Sequence, residues 1–161
     1  MSTFESNPDR KRLKAAIELS RLSPPSPAHY AVGAVIVDEN DIVLATGYTA
    51  EGEAHNHAEE AALAKLAGRD LARSGATLYS SLEPCTTRKS RPLSCTELII
   101  KAGIRRVVLA LREPSVFADC HGVEDLRDAG IEVVEMPEMG HLVAGINAHI
   151  LRQQSPTADA A

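Results

Sequence analysis

Apolar residues along this chain fall into two kinds of pattern, one with the helical period and one in short β-branched runs. Leu13, Ala16, Ile17 and Ser20 recur at three and four residues behind the polar entry Asn7-Pro8-Asp9 and mark a first helix with one small apolar face. Its end is expected near Ser23, because Pro24-Pro25-Ser26-Pro27 cannot continue a helix. The runs Ala31 to Val37 and Ile42 to Tyr48, parted by Asp38-Glu39-Asn40-Asp41, predict a β-hairpin. Ala58 to Ala67 is rich in Ala, Glu, Leu and Lys and reads as a helix stopped by Gly68. Beyond it, strands are expected over Ala76 to Leu82, Arg106 to Ala110 and Ile131 to Val134, with helices over Thr96 to Ala102 and Gly122 to Ala129 between them. Met139, Leu142, Val143, Ile146 and Ile150 give a last helical stripe, expected as core or as a subunit contact.

Strand and helix alternate after the hairpin. The fold class is therefore α/β, a three-layer α/β/α sandwich with a mixed central sheet of about five strands. Ligands in such sheets sit beyond the carboxyl ends of strands, so the segments after Tyr48 and after Leu82 should meet at one mouth. A length of 161 residues suits one domain, expected over 1–152 with a flexible tail over 153–161. Lys and Arg number 17 against 22 Asp and Glu, leaving a net charge of −5, and aromatic residues are only 3%. That balance argues against a nucleic-acid partner, which needs phosphate contacts and stacking platforms, and favours a small-molecule substrate. The start of the chain shows no secretory pattern and no apolar run is long enough for a membrane span, so the expectation is a cytoplasmic protein. Three cysteines cannot close a disulfide framework among themselves and point to metal or catalytic chemistry.

That chemistry gathers in two places. His57-Ala58-Glu59 opens one helix, and Pro84-Cys85 with Cys95 flanks the start of another. One imidazole and two thiolates suit zinc, and three protein ligands leave its fourth position open for a water whose pKa the metal lowers. Glu59, two residues from His57, is placed to handle protons rather than to bind metal. His-x-Glu followed by Pro-Cys and a second Cys is the zinc-deaminase signature, with one departure: nine residues, Thr86 to Ser94, separate the cysteines where the signature has two. Inside that insertion Arg88, Lys89 and Arg91 bring positive charge into an acidic protein, either to grip a phosphate or as a solvated loop face. His55 is expected at the pocket rim, and Cys120-His121 as a loop pair without metal.

The stretch Ala76 to Cys85, the basic loop, and Cys95 to Ile104 together resemble the deaminase domain of the bifunctional riboflavin-biosynthesis deaminase/reductases. The resemblance runs from about Leu13 to Val134. It implies a cytidine-deaminase-like fold, one zinc per chain on His57, Cys85 and Cys95, and Glu59 as the catalytic proton shuttle. The implied reaction is hydrolytic loss of ammonia from a ribosyl or phosphoribosyl diaminopyrimidine of riboflavin-pathway type, or from a relative in specialised metabolism. A homodimer or homotetramer is implied as well. Departures fall in loops expected to touch the substrate. Pro27-Ala28-His29-Tyr30 stands where the family has an Asn between prolines, and Glu113-Pro114-Ser115-Val116 where it has Asp-Pro-Asn-Pro. His29, His55, Glu83, Arg88, Lys89, Arg91 and Ser115 are accordingly the candidate substrate-binding residues. Two alternatives stay open: a cytosine- or guanine-type nucleoside or nucleotide deaminase, and a catalytically silent nucleotide-binding module.

Overall fold

A computed structural model describes residues 7–88, 91–114 and 120–152. Helix α1 (Pro8–Leu19) starts where the Asn7 side chain accepts a hydrogen bond from the Asp9 amide at 3.0 Å, and a short 3-10 turn, Ser20–Leu22, closes it. Strands β1 (Gly33–Val37) and β2 (Val43–Tyr48) form the hairpin. There follow α2 (Ala58–Ala64), β3 (Thr77–Leu82), α3 (Cys95–Ala102), β4 (Arg106–Leu111), α4 (Gly122–Asp128) and β5 (Glu132–Glu135), then the closing α5 (Gly140–Ile146) and α6 (Ala148–Arg152).

The five strands form one sheet in the order β2-β1-β3-β4-β5. β1 runs antiparallel to both β2 and β3, whereas β3, β4 and β5 are mutually parallel, so the sheet is mixed. Two glycines show how helices reach its two faces. A side chain on Gly33 would run into the Ala16 carbonyl of α1, and one on Gly47 into the Ala58 carbonyl of α2. Gly33 pairs with Tyr48 and Gly47 with Ala34, so Gly33 and Gly47 point to opposite faces and α1 and α2 pack on opposite sides. β1 and β3 are buried along their whole length, which is the burial of a strand covered on both faces. Leu13, Ile17, Ile36, Leu78, Ile99, Leu109 and Leu126 are fully enclosed and fill the two interlayer cores.

Two helices differ from the sequence reading. α2 ends at Ala64 rather than Ala67, with Lys65 and Leu66 tightening into three-residue hydrogen bonds to Ala62 and Leu63. The last helical stripe is broken at Asn147, whose side chain accepts from the Ala31 amide at 2.8 Å and donates to the Ala31 carbonyl at 3.2 Å. No helix among the described residues is long and apolar enough to cross a membrane. The expected tail over 153–161 lies outside the described residues.

Candidate metal and active site

Parallel β3 and β4 end side by side, with Leu82 opposite Leu111, and the chain leaving them frames a cavity of about 580 Å³. The cavity opens where the segments after β2 and β3 meet, because Thr49 lines it together with Glu83, Cys85, Thr86 and Thr87. His57 is the N-cap residue of α2, in an extended conformation, and its ring meets the first residue of α3. There Cys95 is the first residue of α3, behind a Ser94 cap whose hydroxyl accepts from the Glu97 amide. His57 Nδ1 stands 3.3 Å from Cys95 Sγ and 3.6 Å from Cys85 Sγ, and the three donor atoms lie within 4.8 Å of one another. The Cys95 amide donates to Cys85 Sγ at 3.3 Å, and the Thr96 amide to the Cys85 carbonyl at 3.1 Å, so the start of α3 is docked on the first cysteine. A hydrogen bond from the Cys95 side chain and then His57 pull the Cys85 thiol down, against its burial, while the same sulfur contact and burial push the Cys95 thiol up. Two sulfurs and one imidazole nitrogen converging on a point at the wall of a cavity are a donor set that fits zinc.

Glu59 is 4% exposed and lines the same cavity. Burial pushes its carboxyl up, with nearby Cys85 adding to the rise and His57 opposing it. The hydroxyl of Ser80, itself fully buried in β3, lies 2.8 Å from Glu59 Oε1. Sequence reasoning gave Ser80 no role, since nothing local to it distinguishes it from any other strand serine.

The candidate substrate residues separate into groups. His29 and Arg88 line the cavity, but Arg88 Nη2 is already bonded to the His55 carbonyl at 2.6 Å and to Glu60 Oε1 at 2.9 Å. Burial alone would raise Glu60, yet the hydrogen bond and charge of Arg88 hold its carboxyl below the usual range. Glu83 also lines the cavity, with both carboxylate oxygens occupied by the amides of Glu113 and Val123 at 3.0 and 2.9 Å. His55 and Arg91 are not among the lining residues; His55 is exposed, and Arg91 pairs with Glu53 at 2.5 Å. Lys89 and Ser115 lie outside the described residues. Tyr30, Thr49, Glu113 and Cys120 also line the cavity, although none of them was among the candidate substrate-binding residues. Glu113 is pushed up to about 7, chiefly by burial, and burial also raises the Cys120 thiol. Cys120 donates to the Pro84 carbonyl at 3.2 Å, in keeping with a pocket wall rather than a fourth metal ligand.

Residues 6–111 match the model of the cytidine and deoxycytidylate deaminase zinc-binding region. The diaminohydroxyphosphoribosylamino-pyrimidine deaminase of Schizosaccharomyces pombe is 42% identical over 131 residues, covering 80% of this chain and 32% of the relative. The chain thus spans about a third of the length of that curated relative. Among solved structures, the diaminohydroxyphosphoribosylaminopyrimidine deaminase/5-amino-6-(5-phosphoribosylamino)uracil reductase of Thermotoga maritima superposes with a TM-score of 0.73 at 34% identity, over 89% of this chain and 40% of that one. The Rib2 deaminase of Aspergillus oryzae in complex with DARIPP gives a TM-score of 0.68 at 25% identity, over 88% of this chain and 98% of the other. The zinc-type donor set, the mixed five-stranded sheet and these likenesses agree, and the chain belongs to the cytidine and deoxycytidylate deaminase zinc-binding family.

Proposed function

We propose that this chain is a zinc-dependent hydrolase that releases ammonia from a small aminopyrimidine carrying a ribosyl or phosphoribosyl group, as in the riboflavin pathway. The observation that carries the reading is the convergence of His57, Cys85 and Cys95 within 4.8 Å at the wall of a cavity that the buried Glu59 also lines. His57, Cys85 and Cys95 would hold the zinc, which lowers the pKa of water and withdraws electron density when bound. Glu59 takes the proton from the attacking water and delivers it to the amine nitrogen. As the new carbon–oxygen bond forms, the carbon–nitrogen bond breaks and ammonia leaves. A positioned acid–base group of this kind contributes about 10²- to 10⁴-fold in rate. The cavity is of a size for one small ligand. The similarity to diaminohydroxyphosphoribosylaminopyrimidine deaminases supports the diaminopyrimidine substrate. A cytoplasmic homodimer or homotetramer of one domain over 1–152 completes the reading.

The test is ammonia release by zinc-loaded protein given the phosphoribosyl diaminopyrimidinone, its ribosyl form, cytidine or deoxycytidine monophosphate. The expected result is turnover of a diaminopyrimidine, lost in Glu59→Gln with zinc still near one per chain. Turnover of the cytosine compounds alone would reassign the substrate, and silence on every compound would leave a binding module.

A further inference from the structure

The second acidic residue of α2, Glu60, has no part in the proton transfer, yet it is bonded to both halves of the metal site. Its Oε1 accepts from the His57 amide at 3.3 Å and from Arg88 Nη2 at 2.9 Å, and its Oε2 lies 3.6 Å from Arg91 Nε. Arg88 Nη2 also donates to the His55 carbonyl at 2.6 Å, and Arg91 Nη2 reaches Glu53 at 2.5 Å and Asn56 at 3.3 Å. The loop between the two cysteines is therefore laced by two arginines to the segment that carries His57. The Arg88 side chain is only 3% exposed and that of Glu60 18%, which separates this pair from a solvated surface bridge.

We infer that Glu60 and Arg88 form a clasp that assembles the zinc site, with Glu60 acting as a positioning residue for His57 and for the inter-cysteine loop; this rests on the ligand set proposed above. The physical need lies in the length of the loop between the cysteines. Nine residues between Cys85 and Cys95 must be ordered to bring both sulfurs to one ion, where the deaminase signature orders two. Pinning Arg88, three residues after Cys85, to α2 orders the near arm of the loop before any metal arrives. The same carboxylate oxygen holds the His57 backbone, so both ligand-bearing segments are set against one group. The clasp also gives the buried Arg88 a role other than the grip on a phosphate.

The test is the zinc dissociation constant, measured by competition with a chromophoric chelator, for wild type, Glu60→Gln, Arg88→Gln and the double variant. Residues that orient metal ligands from behind typically contribute about 10- to 100-fold in metal affinity, so each single variant is expected to bind zinc roughly tenfold more weakly. The double variant should be no worse than about twofold beyond the weaker single, because both changes open one clasp. Arg88→Lys, which keeps the charge but cannot bridge Glu60 and the His55 carbonyl with one planar head, should fall between, and it serves if Arg88→Gln does not fold. Arg112→Gln breaks ion pairs with Glu124 and Glu135, which are neither proposed metal ligands nor part of the clasp, and should leave zinc affinity unchanged. Zinc affinities within twofold of wild type for both single variants, losses that multiply in the double, or an equal loss in Arg112→Gln would overturn the clasp. His57→Ala tells the two failures apart: if it binds zinc as wild type does, the ligand set itself falls and the clasp with it.

Discussion

Ser80→Ala probes the environment of the proton shuttle without touching it. The Ser80 hydroxyl has one proton and two acceptors in reach, Glu59 Oε1 at 2.8 Å and the Leu82 carbonyl at 2.7 Å. While Glu59 is ionised the proton points to the carboxylate. Once Glu59 carries a proton it can donate to Ser80, which then turns to Leu82. Alanine removes a charge-assisted bond worth about 1.5–3 kcal/mol from the ionised state and an ordinary one worth about 0.5–1.5 kcal/mol from the protonated state. The difference, about 1–1.5 kcal/mol, disfavours the ionised form that must accept the first proton, and corresponds to a kcat/KM lower by about 5- to 13-fold on the acidic limb. Losing a bond to the ionised form raises the carboxyl pKa, so that limb should move to higher pH and the two enzymes should converge above it. The assay is kcat/KM for ammonia release across the pH range, with zinc content as a control. A superimposable profile would refute the reasoning, and so would a uniform loss at every pH, which would assign Ser80 to packing alone.

Three further outcomes follow from groups around the fold. Glu113, pushed by burial from 4.5 to about 7, favours its protonated form in the folded state, so wild type should lose stability as pH rises from about 4.5 to about 7; Glu113→Gln should flatten that slope in urea unfolding at successive pH values. Asp9 accepts two hydrogen bonds from the Arg106 guanidinium, at 2.7 and 2.6 Å, and one from the Tyr79 hydroxyl at 2.7 Å, and the Arg106 bond is the main cause of its lowered pKa. Its stabilisation is full above the usual value of 3.8 and fades as pH falls through the lower folded value, so Asp9→Asn should cost about 1–3 kcal/mol at pH 7 and less in acid. Gly33→Ala would press a methyl group against the Ala16 carbonyl and force α1 off the sheet, with an expected loss of about 3 kcal/mol or more, read from the thermal midpoint.

The hairpin, the alternation of strands and helices and the layer order were legible because each depends on local pattern: β-branched runs, a Gly stop, a proline that ends a helix. The break at Asn147 was not. It depends on Ala31, 116 residues away, and the spacing of Val143, Ile146 and Ile150 continues through it unchanged. The zinc donors were legible for a different reason, since few patterns place a His and a Cys at helix starts and a second Cys behind a proline, with a Glu two residues after the His. Arg88 and Arg91 were visible as charge, but their partners Glu60 and Glu53 lie 28 and 38 residues upstream and only the fold brings them together. Glu83 and Glu113 make the limit plainest. Both precede a proline, and they leave β3 and β4, two parallel strands paired at Leu82 and Leu111, so their local contexts are alike. Glu83, expected against the substrate, spends both oxygens on the amides of Glu113 and Val123 and so fixes the floor between β4 and α4. Glu113, whose amide that bond holds in place, lines the same cavity with a carboxyl raised to about 7. The two similar glutamates therefore differ in what their carboxylates hold, and that difference is set by hydrogen bonds that span 30 and 40 residues, which no local pattern in the sequence displays.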